Sequence, residues 1–147
     1  MFVFLDIDGV LNREKDWKQP YTLCKECVDN FAKAMEGFDV KLILISSWRK
    51  GFVSRENPNN LPQIKAREKM LSERGLSITG TVDRTNMSRW NAIQAFLKNH
   101  PGDYLILDDD LSEYSSRPQR LYLIDCITGI SKKDVAGIRK EMAKEVR

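Results

Sequence analysis

The sequence predicts an α/β protein: a three-layer, Rossmann-like arrangement with a parallel sheet of about five strands and helices on both faces. Three observations predict it. Short apolar stretches alternate along the chain with helical patterns. Three of those stretches are aliphatic without a polar alternation, which is how strands covered on both faces read. The same three end in polar residues, as parallel strands do where a ligand site gathers at their carboxyl ends.

The first strand is expected at Phe2–Asp6, continuously apolar until its last residue, and the second at Val40–Ser46 (Val-Lys-Leu-Ile-Leu-Ile-Ser). Ile78–Val82 carries Gly80 and reads as an edge strand. Tyr104–Leu107 runs into three aspartates, and Leu121–Asp125 is a short last strand. Between them, Thr22 is placed to cap a helix whose apolar stripe is Cys24, Cys27/Val28, Phe31 and Met35, with Gly37 beyond its end. A second helix spans about Leu61 to Arg74 and stops at Gly75. Ser88 caps a third, with Trp90, Ile93 and Leu97 inward, ending before Pro101-Gly102. Ser131 with Asp134 forms a capping-box pattern for a fourth, with Val135, Ile138, Met142 and Val146 on one side.

With 147 residues, of which 41% are hydrophobic, the chain reads as a single domain over 1–147 with a sizeable core. Asn57-Pro58-Asn59-Asn60-Leu61-Pro62 is a loop by its turn chemistry, too short to divide two domains. No apolar run is long enough for a membrane span, and Asp6 interrupts the apolar N-terminus before a signal peptide can form, so a cytoplasmic protein is expected. Three cysteines fit a reducing compartment. Cys24 and Cys27 have CxxC spacing, but only Cys126 and His100 remain to complete a zinc set, so both read as small buried hydrophobes. His100 reads as a helix C-terminal residue, and a lone histidine argues against His-based metal or triad chemistry. The net charge of +3 is not a nucleic-acid signature, and the basic stretches at 49–75 and 132–147 read as solvated faces.

The chemistry lies where the strands end. The first gives Asp6-Ile7-Asp8-Gly9-Val10-Leu11-Asn12, the second Ser46-Ser47-Trp48-Arg49, and the fourth Asp108-Asp109-Asp110. In a parallel sheet these tips converge. Two unit charges about 4 Å apart repel by roughly 4 kcal/mol at a surface-like dielectric. A divalent cation removes that cost, and an oxygen-only donor set suits Mg²⁺. Asp6 closes its strand and projects from the sheet edge; Asp8 lies where the chain turns and can aim back at the same point. Gly9 permits the turn. Asp6 as nucleophile and Asp8 as general acid and base then suit Mg²⁺-dependent phosphoryl transfer. Arg49 suits a bidentate phosphate contact, Trp48 base stacking, and Asn12 either a substrate hydrogen bond or a turn cap.

Asp6-Ile7-Asp8-Gly9-Val10-Leu11-Asn12 resembles the first motif of the haloacid dehalogenase superfamily of phosphohydrolases. Ser46 resembles its second motif, a hydroxyl that bonds the transferred phosphoryl group, and Asp108-Asp109 its fourth, metal-holding motif. The third motif is usually a Lys at a helix start; Arg89 is the best match, with Arg84 competing. The combination with Ile-Ser-Ser-Trp-Arg and Ile-Leu-Asp-Asp-Asp is similar to the small domains of this superfamily associated with multidomain bacterial RNA repair proteins. The resemblance implies a capless fold of that type and a Mg²⁺-dependent phosphatase working through an aspartyl-phosphate. It implies catalytic roles for Asp6, Asp8, Ser46 and Arg89, metal contacts from Asp6, Asp8, Asp108 and Asp109, and substrate contacts from Gly9, Asn12, Ser47 and Arg49. An open site suits a nucleotide or a polynucleotide end. The competing readings are a non-catalytic binding module on the same fold and an acidic-site metal nuclease.

Overall fold

The computed structural model describes residues 1–18, 23–45, 61–83 and 87–144, without the side chains of 61–64. Its five strands are β1 (Phe2–Leu5), β2 (Lys41–Leu44), β3 (Ile78–Thr81), β4 (Tyr104–Asp108) and β5 (Leu121–Leu123). The four helices are α1 (Lys25–Met35), α2 (Leu61–Ser72), α3 (Arg89–Asn99) and α4 (Lys132–Ala143). Short 3₁₀ turns occupy Glu14–Lys18 and Leu111–Glu113. All strand pairs are parallel, in the order β3-β2-β1-β4-β5, so the expected Rossmann-like α/β fold is present, with β3 at one edge as expected and β5 at the other.

Alternation along the strands divides the core in two. Val3, Leu5, Leu42, Leu44, Leu105 and Leu107 face one side and pack with Val28, Phe31 and Ala34 of α1, Leu71 of α2 and Ile138 and Met142 of α4. Phe4, Ile43 and Ile106 face the other side, against Ala92 and Ile93 of α3. The central strands β1, β2 and β4 are buried after their first residues, as their aliphatic composition requires.

The helix ends follow local chemistry, with one correction. Ser88 Oγ accepts from the Asn91 N–H, and the Ser131 N–H donates to the Asp134 carboxylate at 2.8 Å. The first helix begins at Lys25 with Cys24 in the N-cap position and no side-chain cap; Thr22 lies outside the described residues. Cys24 is placed there by packing, because it and Cys27 turn into the core. Both are free thiols, and burial pushes Cys27 up to about 12. His100 is the C-cap of α3, its ring stacked on Phe96 at 4.4 Å. Among the described residues no helix is long and apolar enough to cross a membrane.

The strand order reverses between β1 and β4, and that junction locates the site. Leu5 is in register with Leu107, and the Asp6 N–H donates to the Leu107 carbonyl at 3.0 Å, so Asp6 and Asp108 emerge level with each other. The loop after β1 is braced from beyond β5. The Ile130 N–H donates to the Val10 carbonyl, and the Glu14 N–H to the Cys126 carbonyl. Gly129 makes this approach possible at φ +60°; a Cβ there would meet Cys27 Sγ and the Asn12 and Val10 carbonyls at 3.0 Å or less. Gly129→Ala should therefore cost about 2 kcal/mol, from left-handed strain plus backbone overlap, measured as a lowered urea midpoint at unchanged m-value.

Candidate active site

Strand alternation sends Asp6 and Asp108 to the α3 side, where Arg89 opens its helix. Asp6 is 4% exposed and Asp108 fully buried. The Arg89 Nη1 group donates to both Asp108 oxygens at 3.0 and 2.8 Å and lies 3.9 Å from Asp6 Oδ2. The Tyr114 hydroxyl donates to Asp108 Oδ2 at 2.7 Å, and the Asp110 N–H to Asp108 Oδ1 at 3.1 Å. Burial opposes the Arg89 cation, but the Asp108 and Asp6 carboxylates outweigh it, so its pKa lies above the usual value. Burial, with Asp108 adding to it, raises the Tyr114 phenol, which keeps it a donor.

Carboxylate oxygens of Asp6, Asp108 and Asp109 all lie within 4.8 Å of one another. Burial first, then the Asp108 charge and a hydrogen bond with Asp109, raise the Asp6 carboxyl well above its ordinary value, against the pull of Arg89. Burial raises Asp109 as well. A fold that concentrates acids in this way resists ionising them until a cation arrives. The donors are oxygen alone, closely spaced and partly desolvated, which fits a hard divalent ion.

The loop after β1 aims Asp8. Gly9 sits at φ +83°, and a Cβ there would overlap Asp109 Oδ2, so only glycine lets the two strand tips close. Asn12 is buried: its Oδ1 accepts from the Gly9 N–H at 2.8 Å, and its Nδ2 donates to Asp8 Oδ1 at 2.9 Å. Of the two roles open to Asn12, the geometry is that of a turn cap that orients Asp8. Asp6, Asp8, Arg89, Asp109 and Asp110 line a cleft of about 290 Å³, with Trp17 at its side. Asp108 stands behind this cleft, engaged by Arg89, Tyr114 and the Asp110 N–H.

The register puts Ile45 next to Asp6, with the Ile45 N–H bonded to the Leu5 carbonyl at 3.0 Å. Ser46, Ser47, Trp48 and Arg49 follow it in sequence and lie outside the described residues, as does Arg84. Among the described residues, two cavities larger than this one lie near the start of β3 and contain none of the predicted site residues. Sequence reasoning missed Tyr114 and Trp17. Tyr114 lies six residues past Asp108 in a turn with no motif spacing, and Trp17 sits in a polar run whose approach to Asp8 is visible only once the loop is folded.

A family model described as the HAD domain in Swiss Army Knife RNA repair proteins matches residues 2–135. The chain belongs to that family. HAD is the haloacid dehalogenase superfamily, so the resemblance in the sequence motifs is borne out, together with the α/β fold. At the coarse level the HAD domain supports a hydrolase of this superfamily. No curated protein and no solved structure matches the chain.

Two predictions follow from the packed acids. Arg89→Met removes the partner of a carboxylate that has no solvent, and should cost about 3–5 kcal/mol in chemical denaturation. Adding Asp108→Asn to the same chain should recover part of that loss, since it neutralises the stranded charge. The second concerns pH. With folded-state pKa values above their ordinary ones, Asp6 and Asp109 hold protons that the unfolded chain has already released. Metal-free stability from these groups therefore falls as pH rises from the ordinary carboxyl value through the raised ones. A cation must displace those protons, so the thermal shift produced by millimolar Mg²⁺ should grow from pH 5 to pH 8, measured by scanning calorimetry.

Proposed function

We propose that this HAD domain is a Mg²⁺-dependent phosphatase that hydrolyses phosphomonoesters through an aspartyl-phosphate on Asp6, with a phosphorylated nucleotide or polynucleotide end as substrate. The observation that carries the reading is the placement of Asp6, Asp8 and Asp109 around one open cleft backed by Arg89 and Asp108. The family description, which names RNA repair proteins, favours a nucleic-acid end.

In this reading Asp6 and Asp109 hold the cation directly, while Asp108, occupied by Arg89 and Tyr114, fixes the tip that presents Asp109. Mg²⁺ in this position would neutralise phosphate oxygens and keep Asp6 ionised. The chain's own groups then carry the steps. An Asp6 carboxylate oxygen attacks phosphorus, the bond from phosphorus to the ester oxygen breaks, and Asp8 gives that oxygen its proton. Asp8, now a carboxylate, takes a proton from water; the water oxygen attacks phosphorus, and inorganic phosphate leaves with Asp6 regenerated. Asn12 holds Asp8 through one carboxylate oxygen and leaves the other for the proton. Arg89, 3.9 Å from Asp6 Oδ2, steadies the nucleophile as an anion. Ser46 and Arg49 are the proposed phosphoryl contacts from the second strand tip, joined by Ser47.

Asp6→Asn should abolish Mg²⁺-dependent phosphate release by at least about 10³-fold with the fold retained by circular dichroism, and Asp8→Asn should lower it by about 10²–10⁴-fold. Phosphate release persisting in Asp6→Asn would exclude the aspartyl-phosphate route. Strand cleavage without phosphate release would identify a nuclease.

A further inference from the structure

We infer that Trp17 is the stacking platform for the nucleobase adjoining the scissile phosphate, so that the site recognises a base-bearing phosphate end and not the phosphate alone. The inference rests on the phosphatase reading above. Trp17 lines the same cleft as Asp6, Asp8 and Asp109, yet 43% of it remains exposed, a large apolar surface left in water beside a cluster of acids. It is also held in place. The indole N–H donates to Asn12 Oδ1 at 2.9 Å, the same oxygen that accepts from Gly9. Its 3₁₀ turn is pinned by Asp16, which accepts from the Arg13 N–H and guanidinium, and by the Glu14 N–H to Cys126 carbonyl bond. An aromatic ring fixed before the ligand arrives stacks a base with little further loss of entropy.

The surroundings favour a polynucleotide end. The turn that carries Trp17 also exposes Lys15 and Lys18, along with Glu14, and Arg89 lines the cleft; these cations suit further phosphates along a strand. Met87 and Leu111, within two residues in sequence of cleft-lining Arg89 and Asp110, are exposed as well.

The test separates stacking from the bond that Trp17 makes to Asn12. Trp17→Ala removes both; Trp17→Phe keeps a ring and loses the bond. Phosphate release would be measured as kcat/KM on a short phosphorylated RNA and on the same RNA with an abasic residue at the phosphorylated end. A nucleoside monophosphate and ribose 5-phosphate form a parallel pair that reports whether free nucleotides are also a source. In at least one pair, Trp17→Ala should lower the preference for the base-bearing substrate about tenfold, and Trp17→Phe should restore most of it. An equal fall on both members of each pair, or an unchanged preference, would overturn the inference: Trp17 would then act only through Asn12 and Asp8. If the unaltered protein releases phosphate from none of the four, the phosphatase reading fails, and stacking is read instead from the binding of labelled RNA and its abasic counterpart to the unaltered protein and Trp17→Ala. A preference for the base that Trp17→Ala abolishes supports the platform, and equal affinities overturn it.

Discussion

Like charges confined at the junction of β1 and β4 are the constraint around which the rest of this molecule is arranged. The parallel register that pairs Leu5 with Leu107 leaves no choice about where Asp6 and Asp108 go: they emerge side by side and on the same face. Asp109 then completes a group of carboxylates within 4.8 Å. Repulsion of this size is tolerable because the acids are treated unequally. Asp108 is neutralised from within by Arg89 and hydrogen-bonded by Tyr114, at the cost of burying an ion pair. Asp6 and Asp109 are given no such full compensation, and their raised pKa values are the record of it. A site that is strained when empty binds a cation more strongly than one already satisfied.

That division of labour draws on what an arginine at this helix start offers and a lysine would not. A lysine is a compact point charge, whereas a guanidinium spreads its donors in a fork. Here one nitrogen of the fork reaches both oxygens of Asp108 while remaining 3.9 Å from Asp6. The same nitrogen thus serves the pair with Asp108 and the edge of the Asp6 carboxylate's field. Ser88, which caps the helix immediately before it, fixes the backbone from which Arg89 reaches.

Much of this was legible in the sequence because its causes are local. A strand that ends in Asp-x-Asp-Gly announces both the sheet edge and the turn, and an aliphatic run without alternation announces burial on both faces. The capping signals of Ser88 and of Ser131 with Asp134 were readable for the same reason. The start of the first helix was not, since Cys24 occupies the cap position through packing against the core and makes no side-chain cap bond. Nor were Tyr114 and Trp17, whose roles depend on a turn and a loop folding back over distances that no periodicity encodes. The unequal duties of Asp108 and Asp109, adjacent in sequence, arise because Asp108 ends β4 inside the packed junction, whereas Asp109 lies past the strand in the bend that lines the cleft.

Asn12 shows how closely the residues of this loop are tied to one another. Its Oδ1 holds the Gly9 N–H and the Trp17 indole, and its Nδ2 holds Asp8. Gly9 in turn is what allows Asp109 to approach. A change at the indole would therefore be felt first at Asn12 and then at the Asp8 carboxylate. A loop built this way couples the position of Trp17 to the orientation of Asp8 through two hydrogen bonds. The physical consequence is that effects at Trp17 and Asp8 should be non-additive, because both pass through one amide whose partners are shared.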